Sequence, residues 1–154
     1  MVRQIRREAA ANERGAAAVE FALIVLPLLV LIWGMISYGV MFSYRQALSQ
    51  AAGEGARAVV AAPAASINAT ATAAIANALS SYNQTCGSTL TCTVSAPISG
   101  GAALPNGAIC PTGHTCVQVT VTYPYRSNPL IPNVPGLGIT VPATLSFTST
   151  VEVS

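Results

Sequence analysis

Between Gly15 and Tyr44 almost every position is apolar or small, and the one side chain charged at neutral pH is Glu20. An uninterrupted apolar run of this kind argues a membrane helix. Thirty residues separate Arg14 from Arg45, a helical length of roughly 45 Å against the ~20 residues that cross a hydrocarbon core. The pattern therefore predicts a spanning helix with length to spare. Pro27 falls inside it and is expected to remove one backbone hydrogen bond and bend the axis, which a membrane helix tolerates. Trp33, Tyr38 and Tyr44 lie toward its C-terminal end, where aromatic rings favour the interface. Gly39 and Ser43 form a small-xxx-small pair, a spacing that permits close helix packing but also arises by chance in a sequence so rich in small residues.

Beyond Arg45 the helical period persists as Leu48, Ala52, Gly55 and Val59, flanked by Gln46, Ser49, Gln50, Glu54 and Arg57. This stripe predicts that the helix continues past the membrane as a protruding amphipathic stalk. Gly53 and Gly55 each weaken it by ~1 kcal/mol relative to Ala, marking a flexible or closely packed point. Pro63 is a natural stop. Ser66 is placed to cap a second helix in which Ile67, Ala71, Ile75, Leu79 and Tyr82 recur at helical spacing before Asn83 ends it. After Tyr82 the composition turns to Thr, Val, Gly and Pro, and the period becomes that of extended chain. Residues 90–95, 116–123 and 139–153 read as strands, the last bent or broken near Pro142, with loops over 97–115 and 124–138. The expected class is α+β: a long N-terminal transmembrane helix and stalk, then a small head of a helix or two on a short antiparallel sheet. The expected boundaries are a leader over 1–15, the membrane helix and stalk over 16–62, and the head over 63–154.

Composition supports that division. Of 154 residues, 52% are hydrophobic and 8% charged, too apolar for an ordinary small soluble domain. All seven basic residues are arginine and all five acidic ones glutamate, for a net charge of +2. That charge is too small, and too concentrated before Gly15, for a nucleic-acid partner. Arg3, Arg6, Arg7 and Arg14 precede the apolar run, whereas Arg45 and Arg57 alone follow soon after. The positive-inside bias then puts 1–14 in the cytoplasm and the head outside. Cys86, Cys92, Cys110 and Cys116 all fall in the exported part, where an even count favours disulfides. Four cysteines allow three pairings. Each local pair encloses five turn-forming residues, which favours Cys86 with Cys92 and Cys110 with Cys116. His114 lies inside the second loop, so a Cys/His metal site is the alternative, but the spacing is not a paired C-x-x-C framework. His114 is expected to be a surface loop residue and no cofactor is implied. With no Asp, no Lys and one His, no catalytic constellation can be assembled. The chain does not read as an enzyme. The acceptor-like triplets at Asn68 and Asn83 are short enough to be chance in a Thr-rich sequence.

The N-terminal boundary carries the sharpest chemistry. A cut after Gly15 would create a new α-amine on Ala16, one helical turn from Glu20, in the i,i+4 relation where opposite charges meet. Because the polar leader precedes the apolar segment, such processing leaves the membrane helix in the mature protein. A secretory signal does the reverse, and its apolar region of 7 to 15 residues is about half the present one, which argues against a cut near Ala56-Arg57-Ala58. A carboxylate inside a membrane helix is costly without a partner. At a helix N-terminus the macrodipole favours the anion and disfavours the amine, so a neighbouring subunit's amine could pair with Glu20 and set the axial register of packed helices. The alternative is a Glu solvated at the interface.

Residues 15–57 resemble the TadE-like family, minor pilins or pseudopilins of the tight-adherence (Flp-type) pilus apparatus. The resemblance rests on Arg14-Gly15-Ala16-Ala17-Ala18-Val19-Glu20-Phe21-Ala22-Leu23, Leu26-Pro27-Leu28-Leu29, Tyr44-Arg45-Gln46-Ala47-Leu48 and Ala51-Ala52-Gly53-Glu54-Gly55-Ala56-Arg57. It implies cleavage after Gly15 by a membrane aspartic prepilin peptidase, with Glu20 at mature position five. It also implies other pilin and pseudopilin subunits, an inner-membrane assembly platform and membrane lipid as partners. Members often carry an acidic residue near the middle of the apolar segment, where this chain has Ser37. In the head, Val119, Val121, Tyr123, Pro124 and Tyr125 are similar to the family's strand-then-proline pattern. The competing reading is an unprocessed single-pass membrane protein whose extracytoplasmic head binds a partner.

Overall fold

The computed structural model describes residues 2–131 and 141–153, with side chains from residue 15 onward. Helix α1 spans Val2–Ala58 and stays helical through Pro27. Helix α2 spans Ile67–Ala78, and four strands follow: β1 (Thr91–Val94), β2 (Ile98–Ser99), β3 (Thr115–Tyr123) and β4 (Leu145–Val153). The chain divides into two compact units, Met1–Gly39 and Val40–Ser154.

Among the described side chains of the first unit, from residue 15 onward, the apolar ones have no protein core. Val19, Phe21 and Leu23 are 62%, 68% and 70% exposed, and the pattern continues through Ile24, Leu26 and Leu28 to Ile36. The described part of α1 is long and apolar enough to cross a membrane. Burying such a surface is worth about 25 cal/mol per Å², so it has to be covered by lipid or by other helices.

In the second unit the stripe expected on a stalk has a different use. Met41, Tyr44, Leu48, Ala51, Ala52, Ala56 and Val59 are buried together with Ile67, Ala71 and Ile75 of α2 and Val117, Val119 and Val121 of β3. The C-terminal part of α1 is thus amphipathic as its period predicts, and its apolar face is the centre of the head's own core. Small residues let the elements approach closely. A Cβ on Gly55 would come within 2.9 Å of Ile75 Cγ1 and 3.3 Å of Val119 Cγ1, whereas one on Gly53 would meet nothing within 4 Å. Of the two offered readings, close packing holds at Gly55.

Tyr44 departs from expectation. Rather than sitting at a membrane interface, its ring is fully buried and packs edge-on against Tyr82 and Tyr123, both at 4.9 Å, with Tyr125 at 6.5 Å. Aromatic pairs in this geometry add about 0.5–1.5 kcal/mol beyond area burial. The small-xxx-small pair is also partly used inside the head, since the Ser43 and Tyr82 hydroxyls share a hydrogen bond of 2.9 Å.

Strand β3 organises the sheet. β4 pairs with it antiparallel along its whole length, from Thr115↔Val153 to Tyr123↔Leu145. β1 pairs with residues 119–122 and β2 with 115–116, also antiparallel. As β4 fills one edge, β1 and β2 share the other, as two segments of one interrupted edge. Alternation along β3 sends Val117, Val119, Val121 and Tyr123 to the helices, and Gln118, Thr120 and Thr122 to the opposite face. The expected strands over 90–95 and 116–123 correspond to β1 and β3, while β4 begins at Leu145. Ile139 and Thr140, expected in the last strand, and residues 132–138 of the expected loop lie outside the described residues. Short β2, inside a stretch expected to be loop, is held by pairing with β3 and not by any pattern of its own.

Of two local expectations at the ends of the second helical region, the cap at Ser66 fails and the stop at Asn83 holds. Ser66 stands at the N-cap of α2 without capping it; its Oγ donates to Pro63 O at 3.1 Å, within a 3₁₀ turn over Ala64–Ser66. Asn83 does end the second helical region, after a further 3₁₀ turn over Ser80–Tyr82, in the left-handed conformation with φ of 52° that Asn tolerates.

Candidate functional site

Gly15, Ala16 and Glu20 lie in the exposed N-terminal unit, all on α1 and all open to the surroundings. Gly15 has nothing within 4 Å of where a Cβ would stand, so no internal packing requires a glycine there. Ala16 and Glu20 are one helical turn apart, on the same side of α1. Arg3, Arg6, Arg7 and Arg14 lie outside the residues whose side chains are described.

The cysteines close the two local loops. Cys86 is joined to Cys92 and Cys110 to Cys116, with Cα separations of 5.5 and 5.9 Å. In the chain-entropy account loops this short contribute about 2 kcal/mol each. The second bond belongs to a small satellite cluster with Leu104 and Ile98, and Gly100 allows the backbone of residues 111–113 to lie directly against it. Because Cys110 and Cys116 are joined to each other, His114 has no thiolate beside it. Its Nδ1 lies 3.0 Å from Glu152 Oε2, with both side chains more than half exposed. A pair so open contributes about 0–1 kcal/mol. Sequence reading had no means of bringing these two together; the signal is the register Cys116↔Glu152 between β3 and β4.

Three arginines have structural partners among the described residues. Arg126 donates from Nε and Nη2 to Val141 O at 3.2 and 2.7 Å, tying the segment after β3 to the one before β4. Arg45 lies over the Phe147 ring at 5.8 Å. Arg57 pairs with Glu54 on the exposed side of α1 at 2.8 Å.

An exposed apolar helix of membrane length, together with a disulfide-bonded α+β head, defines a protein compatible with a single membrane pass. Residues 15–57 match the family model described as TadE-like protein. The match begins at Gly15 and covers just over a quarter of the chain. No curated protein and no solved structure matches. The TadE-like segment supports an association with the Tad pilus and its components.

Proposed function

We propose that this chain is a minor pilin or pseudopilin of a tight-adherence (Flp-type) pilus, made as a prepilin and cut by prepilin peptidase after Gly15. The observation that carries the reading is the coincidence of three features in one exposed segment. The TadE-like match starts at Gly15, the apolar surface of α1 starts immediately after it, and Glu20 stands one turn from Ala16. Residues 1–15 serve as a cytoplasmic leader, residues 16–39 as the helix that enters the membrane and then the assembly, and the head lies on the extracytoplasmic side. Its partners are the peptidase, other pilin and pseudopilin subunits, the inner-membrane assembly platform and membrane lipid. Glu20 accepts a charge-assisted hydrogen bond from the new amine of a neighbouring subunit and so fixes helix register.

Replacing Glu20 by Gln separates assembly from processing. The leader and scissile bond are unchanged, so Glu20→Gln should mature normally. The ion pair becomes a weaker hydrogen bond from a charged amine to a neutral amide oxygen, and the amine's charge is left uncompensated near hydrocarbon. The expected outcome is a wild-type level of mature monomer with reduced cross-linking to pilus partners and few or no surface fibres. Wild-type piliation would make Glu20 a solvated interface residue and end the pairing mechanism.

A further inference from the structure

On the face of the sheet turned away from the helices lies a cleft of about 470 Å³, bounded by β1, β3, β4 and the loop after β2. Thr93, Ser95, Asn106, Gln118, Thr120 and Thr148 give it its polar atoms, Pro105 adds apolar surface, and no lining residue is charged. The volume falls in the range of about 300–1,000 Å³ typical of ligand sites.

Hydrogen bonds inside the lining fix what is left over for a ligand. Gln118, 5% exposed, accepts at Oε1 from the Asn106 backbone N–H at 3.2 Å, which makes its other end the amide nitrogen. That nitrogen donates to Thr120 Oγ1 at 3.3 Å. Thr120 Oγ1 and Thr148 Oγ1 share a hydrogen bond of 2.9 Å in which either hydroxyl can donate. Thr148 is exposed, and whichever way that bond runs its hydroxyl keeps a lone pair for a ligand. Ser95 Oγ accepts the Gln118 backbone N–H at 2.9 Å and keeps its own proton. Asn106 accepts the Ala108 N–H at Oδ1 at 3.1 Å and keeps its NH₂ donors. Thr93 Oγ1, oriented toward Thr120 O at 3.5 Å, retains its lone pairs.

The cleft thus offers closely spaced neutral donors and acceptors beside a small apolar surface. An ion bound here would lose water without gaining a counter-charge, which disfavours charged ligands. Vicinal hydroxyls, which donate and accept at once, are the complement to such a lining, and the C–H face of a sugar ring suits the Pro105 ring. We propose that this cleft binds a neutral hexose unit of a glycan. The inference does not depend on processing at Gly15 and stands or falls separately from it.

The test uses the full-length chain in a zwitterionic alkyl detergent that carries no sugar head group. Saturation-transfer NMR and calorimetric titration are run with cellobiose, lactose, maltose and mannobiose, and with a glucuronic-acid disaccharide as the charged comparator. At least one neutral disaccharide should bind saturably with a Kd on the order of 1 mM or tighter, and the charged one should not. Thr148→Val and Asn106→Asp should each weaken binding about five-fold, the loss of one neutral hydrogen bond. Thr150→Val, on the same face of β4 but outside the lining, should leave it unchanged. Asn106→Asp keeps the oxygen that accepts the Ala108 N–H, so it decides the matter even if Thr148→Val unfolds. Failure of every neutral disaccharide to bind, equal binding of the charged one, or affinity indifferent to both variants would overturn the assignment.

Discussion

A tyrosine near the end of an apolar helix suits a membrane interface and a protein core equally well, and at Tyr44 the partners decide. Its neighbours Tyr82, Tyr123 and Tyr125 come from a 3₁₀ turn, a strand and the residues just after that strand, none of which the local sequence around Tyr44 announces. Tyr44→Ala should therefore destabilise the head by about 3–5 kcal/mol, as for other large aromatic truncations in cores. Tyr44→Phe should stay within about 1 kcal/mol of wild type, since the Tyr44 hydroxyl is buried without a hydrogen-bond partner among the described residues. Denaturant unfolding followed by near-ultraviolet circular dichroism measures both. A harmless Tyr44→Ala would return the ring to the membrane interface. Glu20 is the opposite case, a residue whose proposed partner lies on another subunit, so the isolated chain shows only its position and exposure.

At the scale of elements, periodicity revealed most of what it could. The long apolar helix, α2, β1 and β3 follow from runs whose spacing is unambiguous, and both local disulfides were favoured by loop length. What the pattern left open depends on tertiary partners. A stripe of Leu48, Ala52, Gly55 and Val59 looks the same on a free stalk as in a core, and the contact of Gly55 with Ile75 and Val119 requires three elements to meet. Likewise β2 exists because β3 offers it an edge, and the cleft on the outer face needs the register that sets Thr93, Thr120 and Thr148 side by side. The two glycines of α1 test the packed-helix account. Both gain helix propensity of about 1 kcal/mol on substitution by Ala. At Gly53 that gain should appear as stabilisation of about 0.5–1 kcal/mol. At Gly55 overpacking of about 1–3 kcal/mol should outweigh it and leave a net loss. Equal responses at the two sites in thermal unfolding would contradict close packing at Gly55.

For the molecule as a whole, the two units make different demands. The head has its own core and two disulfides, and its alkaline limit is set by buried tyrosines. Burial raises the hydroxyl pKa of Tyr123, and burial together with Tyr123 raises that of Tyr125. The unfolded chain loses these protons near pH 10 while the folded head retains them. Stability is therefore fully present below about pH 10 and falls as pH rises through the folded-state values. Reversible unfolding monitored with tyrosinate absorbance should show the loss of structure and the ionisation together. Ionisation of all the tyrosines with the fold intact would contradict it.

The N-terminal unit has an exposed apolar surface in place of a core, and its destiny turns on one bond. Intact-mass spectrometry of the protein extracted from membranes of cells with an active prepilin peptidase tests that most directly. The account predicts a single mature species that begins at Ala16, retains the whole apolar helix and keeps all four cysteines oxidised. Full-length protein in those cells, with residues 1–15 still attached, would contradict it and leave an unprocessed single-pass membrane protein with an extracytoplasmic head.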